Sequence, residues 1–263
     1  MSYDVLKQRL DASDIIILDG GIGTELERRG APMDPDAWCG PATLHAERLL
    51  TEIHADYIAA GAEVITANTY ASSRLMLSPG GYGDQVEEIN RRAVDAALRA
   101  RDAASRSTSV VVAGSLSHML PISEGTMMED PENLPNDVEI AAAYDELARI
   151  LAASGCQMII LEMMYHPQRV RLALDAALST GLPVWFGLSA RKAKNGTVTS
   201  FLQTEELPLG EITTLIPNQG VDAAGVMHTG ADLVIEALQS VQQHFNGPLM
   251  AYPDSGYFEM PHW

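Results

Sequence analysis

The chain has 263 residues, of which 46% are hydrophobic and 20% charged, and this composition is typical of a globular protein long enough for one large α/β domain. Its formal net charge of −18 disfavours binding to nucleic-acid phosphates and to anionic lipid, so neither partner is expected. The two cysteines, Cys39 and Cys156, match no disulfide framework, and no run of about 18 apolar residues is present. With no apolar segment typical of a secretion signal at the N-terminus, the predicted location is the cytoplasm.

Seven short apolar runs recur along the chain, and each is followed by polar or glycine-rich residues. They cover residues 15–18, 64–66, 110–113, 158–161, 184–188, 223–226 and 249–252. The runs are continuous rather than alternating, which is typical of strands buried on both faces in a parallel sheet.

Helical patterns lie between these runs. They are predicted over residues 43–60, 84–104, 137–153, 168–179 and 230–244, with a short, weak crossover at 205–216. Asn136 and Glu139 have the spacing of a capping box. This alternation predicts βαβ units, and the chain length favours a single (β/α)₈ TIM barrel over residues 1–263 rather than a doubly wound sheet. Only seven strands are predicted, so the eighth stave of the barrel has no counterpart in this sequence.

The polar residues cluster after the strands, where α/β barrels build their active sites. The first cluster is Asp19, Gly20 and Gly21, followed by Thr24 and Glu25. Glycines let backbone N–H groups approach a carboxylate or phosphate, although a tight turn alone would explain the same residues.

Two single residues stand out at later strand ends. Glu162 follows four apolar residues, and a carboxylate buried there could hold an ammonium group, act as a base, or pair with Arg169 or Arg191. His228 ends the sixth run and could bind a metal or transfer a proton, although a lone histidine is more often structural. His166 and His262 are weaker candidate metal ligands.

Taken in order, the strand ends resemble those of the homocysteine S-methyltransferase family. The resemblance covers residues 14–257 and rests mainly on residues 19–26, 61–70 and 252–256, with residues 114–115, 161–162 and 225–228 at the other strand ends. It implies a (β/α)₈ barrel in which Zn²⁺ binds the thiol of an acceptor such as homocysteine and lowers its pKa, so that the thiolate attacks a methyl donor. The donor is unknown; a sulfonium compound, a betaine-like compound and a corrinoid are all compatible.

The resemblance also implies roles for individual residues. The glycine-rich loop would bind the acceptor's carboxylate, and Glu162 would bind its ammonium group. Glu162 and His228 are the predicted catalytic residues. The predicted substrate-binding residues are Asp19, Gly20, Gly21, Thr24, Glu25, Asn68, Thr69, Ser115, Glu162, Ser189 and Met227.

The sequence departs from the family at the metal site. The family's sixth strand ends in an asparagine and a zinc-binding cysteine, where this chain has Met227 and His228. The family's Gly-Gly-Cys-Cys motif, which supplies two more zinc ligands, has no counterpart in the sequence. Three interpretations are open: the sequence is part of a longer protein, a partner chain completes the barrel, or the protein has lost this site. Because histidine can bind zinc, the predicted cofactor is Zn²⁺ held by His228 in an altered ligand set. Because methionine cannot replace the hydrogen bonds of an amide, this departure puts homocysteine in doubt as the acceptor.

Two other functions fit the same residues. One is a metal-dependent hydrolase or lyase that uses His228, His166 and Glu162 as ligands. The other is a barrel that binds a small molecule without catalysis. In the methyltransferase interpretation the partners are a small thiol and a methyl donor, and an exposed barrel edge would favour a homo-oligomer.

Overall fold

The computed structural model describes residues 3–105, 110–121, 129 and 134–254. Its centre is a parallel sheet of six strands that lie side by side in the order in which they occur in the chain. The strands are β1 (Val64–Thr66), β2 (Val111–Ser117), β3 (Met158–Met164), β4 (Val184–Leu188), β5 (Ala190–Lys192), β6 (Val198–Ser200), β7 (Val221–Gly230) and β8 (Leu249–Asp254), of which β5 and β6 form a separate antiparallel hairpin.

Helices precede and connect these strands. They are α1 (Tyr3–Asp11), α2 (Ile22–Arg28), α3 (Ala42–His45), α4 (Glu47–Ala60), α5 (Arg74–Leu77), α6 (Val86–Ala103), α7 (Asp137–Ala153), α8 (Pro167–Ser179), α9 (Gly210–Thr213) and α10 (Val234–Gln242). The five predicted helices are all present, although the first is divided at Ala46 and the last is shorter than expected. None of the described helices is long and apolar enough to cross a membrane.

The two faces of the six-stranded sheet pack differently. One face packs against helices in a large core that includes Leu147 of α7, Val170 of α8 and Phe186 of β4. The other face packs on itself, because Val64 of β1 and Met250 of β8 belong to one buried cluster. Strands from opposite ends of the sheet can share a cluster only if the sheet curls, so this is a curled, half-barrel sheet.

Helix α1 covers the N-terminal ends of the strands. Tyr3 and Leu6 join the inner cluster. The Tyr3 hydroxyl donates to Asp222 Oδ2 and accepts from Trp185 Nε1, both at 2.8 Å. Asp222 and Trp185 are each the second residue of their strand. The helix therefore closes the lower end of the curled sheet and leaves the carboxyl ends of the strands open.

The prediction of a strand over residues 15–18 is wrong. This segment makes one isolated bridge, from Leu18 to Val64, and Ile15 and Ile17 are 80% and 50% exposed. In the described part of the chain no strand borders it on its other side, so its outer backbone groups and alternate side chains face solvent. The sheet therefore has six strands rather than the predicted seven.

Candidate active site

A cavity of about 1310 Å³ opens at the carboxyl ends of the strands and extends along the gap between residues 15–18 and β8. The predicted site residues on its wall are Asp19, Gly20, Gly21, Thr24, Asn68, Glu162, Met227 and His228. The wall also includes Tyr70, Tyr252 and Asp254. Residues from widely separated parts of the sequence thus meet at one place, as the strand ends of a curled parallel sheet should.

Glu162 and His228 both lie at irregularities in their strands. The pairing register shifts between Leu161 and Met164 in β3 and between Met227 and Gly230 in β7. Met163 and His228 have positive φ angles of 61° and 46°, which non-glycine residues rarely adopt. Bulges and strained residues of this kind redirect side chains near active sites, and here Glu162 and His228 point at each other.

The Glu162 carboxylate has a protein partner for each oxygen. Its Oε1 lies 2.8 Å from His228 Nε2, and its Oε2 accepts a 2.5 Å hydrogen bond from Ser115 Oγ. The prediction that Glu162 could pair with Arg169 or Arg191 is wrong: Arg169 pairs with Glu129, while Arg191 donates to backbone carbonyls.

His228 is enclosed by aromatic and acidic neighbours. Its ring centroid lies 5.5 Å from that of Tyr70 and 6.4 Å from that of Tyr252, and its Nδ1 is 3.8 Å from Asp254 Oδ1. Burial lowers the pKa of His228, but the hydrogen bond that its ring donates to Glu162 and the charges of Glu162 and Asp254 outweigh that effect and raise the pKa above its ordinary value. The imidazolium form is therefore favoured.

Asp19 is the other unusual acid on the wall. It is 8% exposed and accepts hydrogen bonds from Thr66 N at 2.6 Å and from Thr66 Oγ1 at 3.1 Å. Burial raises the pKa of Asp19 to about 8, even though the hydrogen bonds from Thr66 lower it, and the charge of Glu162 raises it further. Burial therefore favours the protonated form of this carboxyl group.

Four predicted substrate-binding residues lie off the cavity wall. Thr69, Ser115 and Ser189 are fully buried and bond to other parts of the protein; Ser189 Oγ, for example, donates to Met227 O at 2.7 Å. Ser115 N donates to Thr69 Oγ1 at 2.9 Å. Glu25 forms ion pairs on α2 with Arg28 and Arg29. The structure thus places three of the four where they brace the wall, and the fourth on a helix surface.

Met227 and Asn68 line the wall, but each side chain already packs against or bonds to other parts of the protein. Met227 is 2% exposed, and its side chain occupies space left open by Gly187, where an added Cβ would lie 2.3 Å from Met227 Sδ. Asn68 Nδ2 donates to Cys39 O at 2.9 Å and to Thr43 Oγ1 at 3.1 Å. Neither side chain offers a free donor of the kind that binds an amino acid.

The sequence reasoning missed three wall residues that contact His228. Tyr70, Tyr252 and Asp254 lie in the strand-end blocks that carry the family resemblance, and that position was the available signal. Tyr70 also donates a 2.8 Å hydrogen bond from its hydroxyl to Met163 Sδ. It therefore connects the irregular ends of β3 and β7.

The described residues do not form the predicted zinc site. Among them, no three His, Cys, Asp or Glu side chains are arranged to hold a metal. Glu162 and Asp254 face opposite nitrogens of the His228 ring, so a single ion cannot bind all three. His166 is not on the cavity wall and lies beside Arg169, while His262 lies outside the described residues. His228 thus offers one ligand.

The comparison with protein families identifies the chain's relatives. The sequence model described as homocysteine S-methyltransferase matches residues 16–262. The chain belongs to the homocysteine S-methyltransferase family. This confirms the resemblance seen in the strand ends.

Individual relatives of the homocysteine S-methyltransferase family are distant but align over nearly the whole chain. The chain is 26% identical to homocysteine S-methyltransferase 4 of Zea mays, over 94% of this chain and 74% of that protein. It is 26% identical to homocysteine S-methyltransferase of Escherichia coli (strain K12), over 95% and 81%. It is 25% identical to selenocysteine methyltransferase of Astragalus bisulcatus, over 91% and 76%.

A solved structure from the homocysteine S-methyltransferase family has the same fold. The metallated form of the homocysteine methyltransferase MmuM from Escherichia coli superposes with a TM-score of 0.78 at 22% identity, covering 95% of this chain and 87% of that one. The α/β barrel architecture expected from the sequence is therefore shared, with the six-stranded curled sheet as the part described here.

Proposed function

We propose that this protein is an S-methyltransferase that moves a methyl group to the sulfur of a small thiol bound in the cavity. The observation that carries this proposal is the family match across residues 16–262, which spans every element of the cavity wall from Asp19 to Asp254. The relatives are named for acceptors that carry a sulfur or selenium nucleophile on a small amino acid. A small chalcogen nucleophile is therefore the acceptor chemistry that the relatives support.

The chemistry requires a thiol to lose its proton and attack a methyl carbon. The sulfur lone pair forms the new bond, while the bond from the methyl carbon to the donor breaks and its electrons leave with the donor. The hydrogen-bonded pair of Glu162 and His228 lies on the cavity wall, and because the protonated His228 ring is favoured, the Glu162 carboxylate is the member of the pair that accepts the thiol proton. Ser115 holds Glu162 in position from behind the wall.

The sequence predicted Zn²⁺ at His228, but the described residues do not supply the set of ligands that this ion needs. The proton transfer and the methyl transfer proposed here do not depend on a metal ion. The altered position is His228 itself, where the resemblance places a cysteine. We propose instead that Glu162 and His228 act together as the acid/base group of the site.

We also propose a cytoplasmic protein that self-associates. Both cysteines are buried and unpaired, which suits a reducing compartment. Ile15, Ile17 and Leu249 are exposed apolar residues that line the same open gap, and apolar surface of this kind favours association.

A donor and acceptor screen tests the proposed function. The purified protein would be incubated with homocysteine, selenocysteine and simple thiols, each with a sulfonium, a quaternary ammonium or a methyl-corrinoid donor. Mass spectrometry should detect a methylated chalcogen with at least one pair, and Glu162→Gln should reduce its formation. Absence of methylated product from every pair, with a protein that melts cooperatively, would contradict the proposal.

A further inference from the structure

We infer that His228 is a built-in occupant of the cation-binding position at Glu162, so that the protein selects thiols without an ammonium group over amino acids such as homocysteine. The inference rests on the proposed function only in taking a thiol as the ligand. It assigns His228 a role in specificity through the contact between its side chain and Glu162.

The buried carboxylate of Glu162 requires partners for its charge. A carboxylate that is 12% exposed at the end of a buried strand must have a cation or strong donors, because an unpaired buried charge is costly. The protein supplies both: His228 Nε2 lies 2.8 Å from Oε1, and Ser115 Oγ lies 2.5 Å from Oε2. A ligand's ammonium group would have to displace His228 to reach this carboxylate.

Several contacts hold the His228 side chain in place. Its ring lies near those of Tyr70 and Tyr252, and its second nitrogen faces Asp254. Its left-handed backbone, with φ of 46°, fixes the direction in which the side chain leaves β7. A side chain with two aromatic neighbours and a partner at each ring nitrogen loses several interactions if it swings away.

The other acidic side chains of the cavity wall are the remaining places where an incoming ammonium group could bind. Every carboxyl group on the described part of the cavity wall already has a protein partner. The pairs are Asp11 with Lys7, Asp14 with Arg9, Asp19 with Thr66, Glu162 with His228 and Asp254 with His228. Lys7 and Arg9 themselves lie off the wall. Among the described residues that line the cavity there is no lysine or arginine, so His228 is the basic side chain there.

The surface next to His228 also disfavours binding of an ammonium group. Met227 has a thioether where the resemblance places an amide. The side-chain nitrogen of Asn68 already donates hydrogen bonds to Cys39 O and Thr43 Oγ1. A thioether sulfur is a weak hydrogen-bond acceptor, so Met227 would bind an ammonium group less well than the amide oxygen that the resemblance places there. A thiol that carries hydrogen or an alkyl group in place of the ammonium loses nothing there.

The test compares two thiols that differ by one amino group, homocysteine and 4-mercaptobutanoate. Binding is measured by calorimetry without any methyl donor, so the result does not depend on turnover. We expect the wild-type protein to bind 4-mercaptobutanoate on the order of 10-fold more tightly than homocysteine. In His228→Asn the preference should shift towards homocysteine, because asparagine tolerates the left-handed backbone but is too short to reach Glu162.

Two further variants control for folding and for mechanism. His228→Gln keeps an N–H donor at the distance of Nε2, and it should retain the wild-type preference. Ser179→Ala should leave both affinities unchanged, because its hydroxyl bonds to Ala176 O away from the cavity wall. Thermal melting of all three variants shows whether they fold.

Several results would overturn the inference while leaving the proposed function standing. One is tighter wild-type binding of homocysteine that is lost in Glu162→Gln. Another is a ligand preference in a folded His228→Asn variant that equals the wild-type preference. A third is stoichiometric zinc in the purified protein that disappears in His228→Asn, since His228 would then bind metal rather than Glu162. Binding of neither thiol to the wild-type protein would instead count against the proposed function, and the inference would fall with it.

Discussion

Individual residues of the site combine burial with unusual protonation, and Asp19 gives the sharpest case. Its pKa is raised to about 8 by burial, against an ordinary value of 3.8. The folded protein therefore holds this proton more tightly than the unfolded chain does. The resulting stabilisation is fully present below about pH 4 and is lost as the pH rises through about 8.

We predict that Asp19→Asn weakens this pH dependence. In the wild-type protein the free energy of unfolding should fall between pH 5 and pH 9, because the buried carboxyl group must ionise without a cation. Asparagine cannot ionise, so the variant should show a smaller fall. Urea denaturation at several pH values measures the slope, and identical slopes for the two proteins would refute the assignment.

Ser115 provides a prediction about positioning. Its hydroxyl bonds to Glu162 from a fully buried place behind the wall. If the proposed function is correct, Glu162→Gln should reduce kcat on the order of 100-fold, as loss of an acid/base group does. Ser115→Ala should reduce kcat about 5-fold, since losing one hydrogen bond costs about 1 kcal/mol, and should shift the pH profile of kcat.

Ser179→Ala is the matched control for that experiment. Its hydroxyl also makes one 2.8 Å hydrogen bond, but to Ala176 O at the end of α8, away from the cavity wall. Steady-state kinetics should show no change for this variant. An unshifted pH profile in Ser115→Ala would mean that Ser115 has only a structural role.

The sequence identified Glu162 and His228 because each follows a run of apolar residues. It did not predict that they contact each other, since that contact depends on bulges in two strands that are far apart in the chain. The same limit explains why Ser115 was expected to touch substrate. A residue at a strand end can face either the cavity or the interior, and the strand's alternation decides which.

At the scale of elements, the fit between β4 and β7 depends on a missing side chain. Gly187 leaves the space that Met227 fills, and an added Cβ would also lie 3.0 Å from Leu161 O. We predict that Gly187→Ala destabilises the protein by about 1–3 kcal/mol through overpacking. The Met227 side chain would have to move, and Met227 directly precedes His228.

Gly210→Ala is the control, because nothing lies within 4 Å of a Cβ at that position. Chemical denaturation of both variants measures the difference. Equal stability would show that Met227 can repack freely, and the argument from close packing at this strand end would then fail.

Elements with strong local signals were predicted well. Helix α7 spans Asp137–Ala153, as expected, because Asn136 and Glu139 form the capping box. Residues 15–18 have an apolar sequence but only one neighbouring strand, and no local pattern reveals that a partner is missing. The hairpin of β5 and β6 was overlooked, although Asn195-Gly196 at its turn is a common hairpin signal.

At the scale of the whole molecule, α1 joins the first residues of the chain to the centre of the sheet. We predict that Tyr3→Phe lowers the free energy of unfolding by about 1–2 kcal/mol, because Asp222 and Trp185 lose their shared partner. Tyr82→Phe is the control, since the Tyr82 hydroxyl makes no hydrogen bond to another described residue. Urea denaturation followed by tryptophan fluorescence measures both changes, and equal stabilities would contradict the prediction.

The barrel class and the family were predictable because they depend on the order of many strand ends rather than on any single one. The state of the metal position was not, because residue type alone does not say whether a histidine faces an ion or a carboxylate. In this chain His228 faces Glu162.

The acidic wall of the cavity has a kinetic consequence for ligand arrival. Its carboxylates belong to a chain with a net charge of −18, so the field that a diffusing molecule meets is negative at long range. A cationic methyl donor should associate more slowly as ionic strength rises, whereas an anionic donor should associate faster, because the Debye length shrinks to about 10 Å at 0.1 M salt. Stopped-flow association rates measured across a salt series would therefore reveal the sign of the donor's charge, and an uncharged donor would give a flat line.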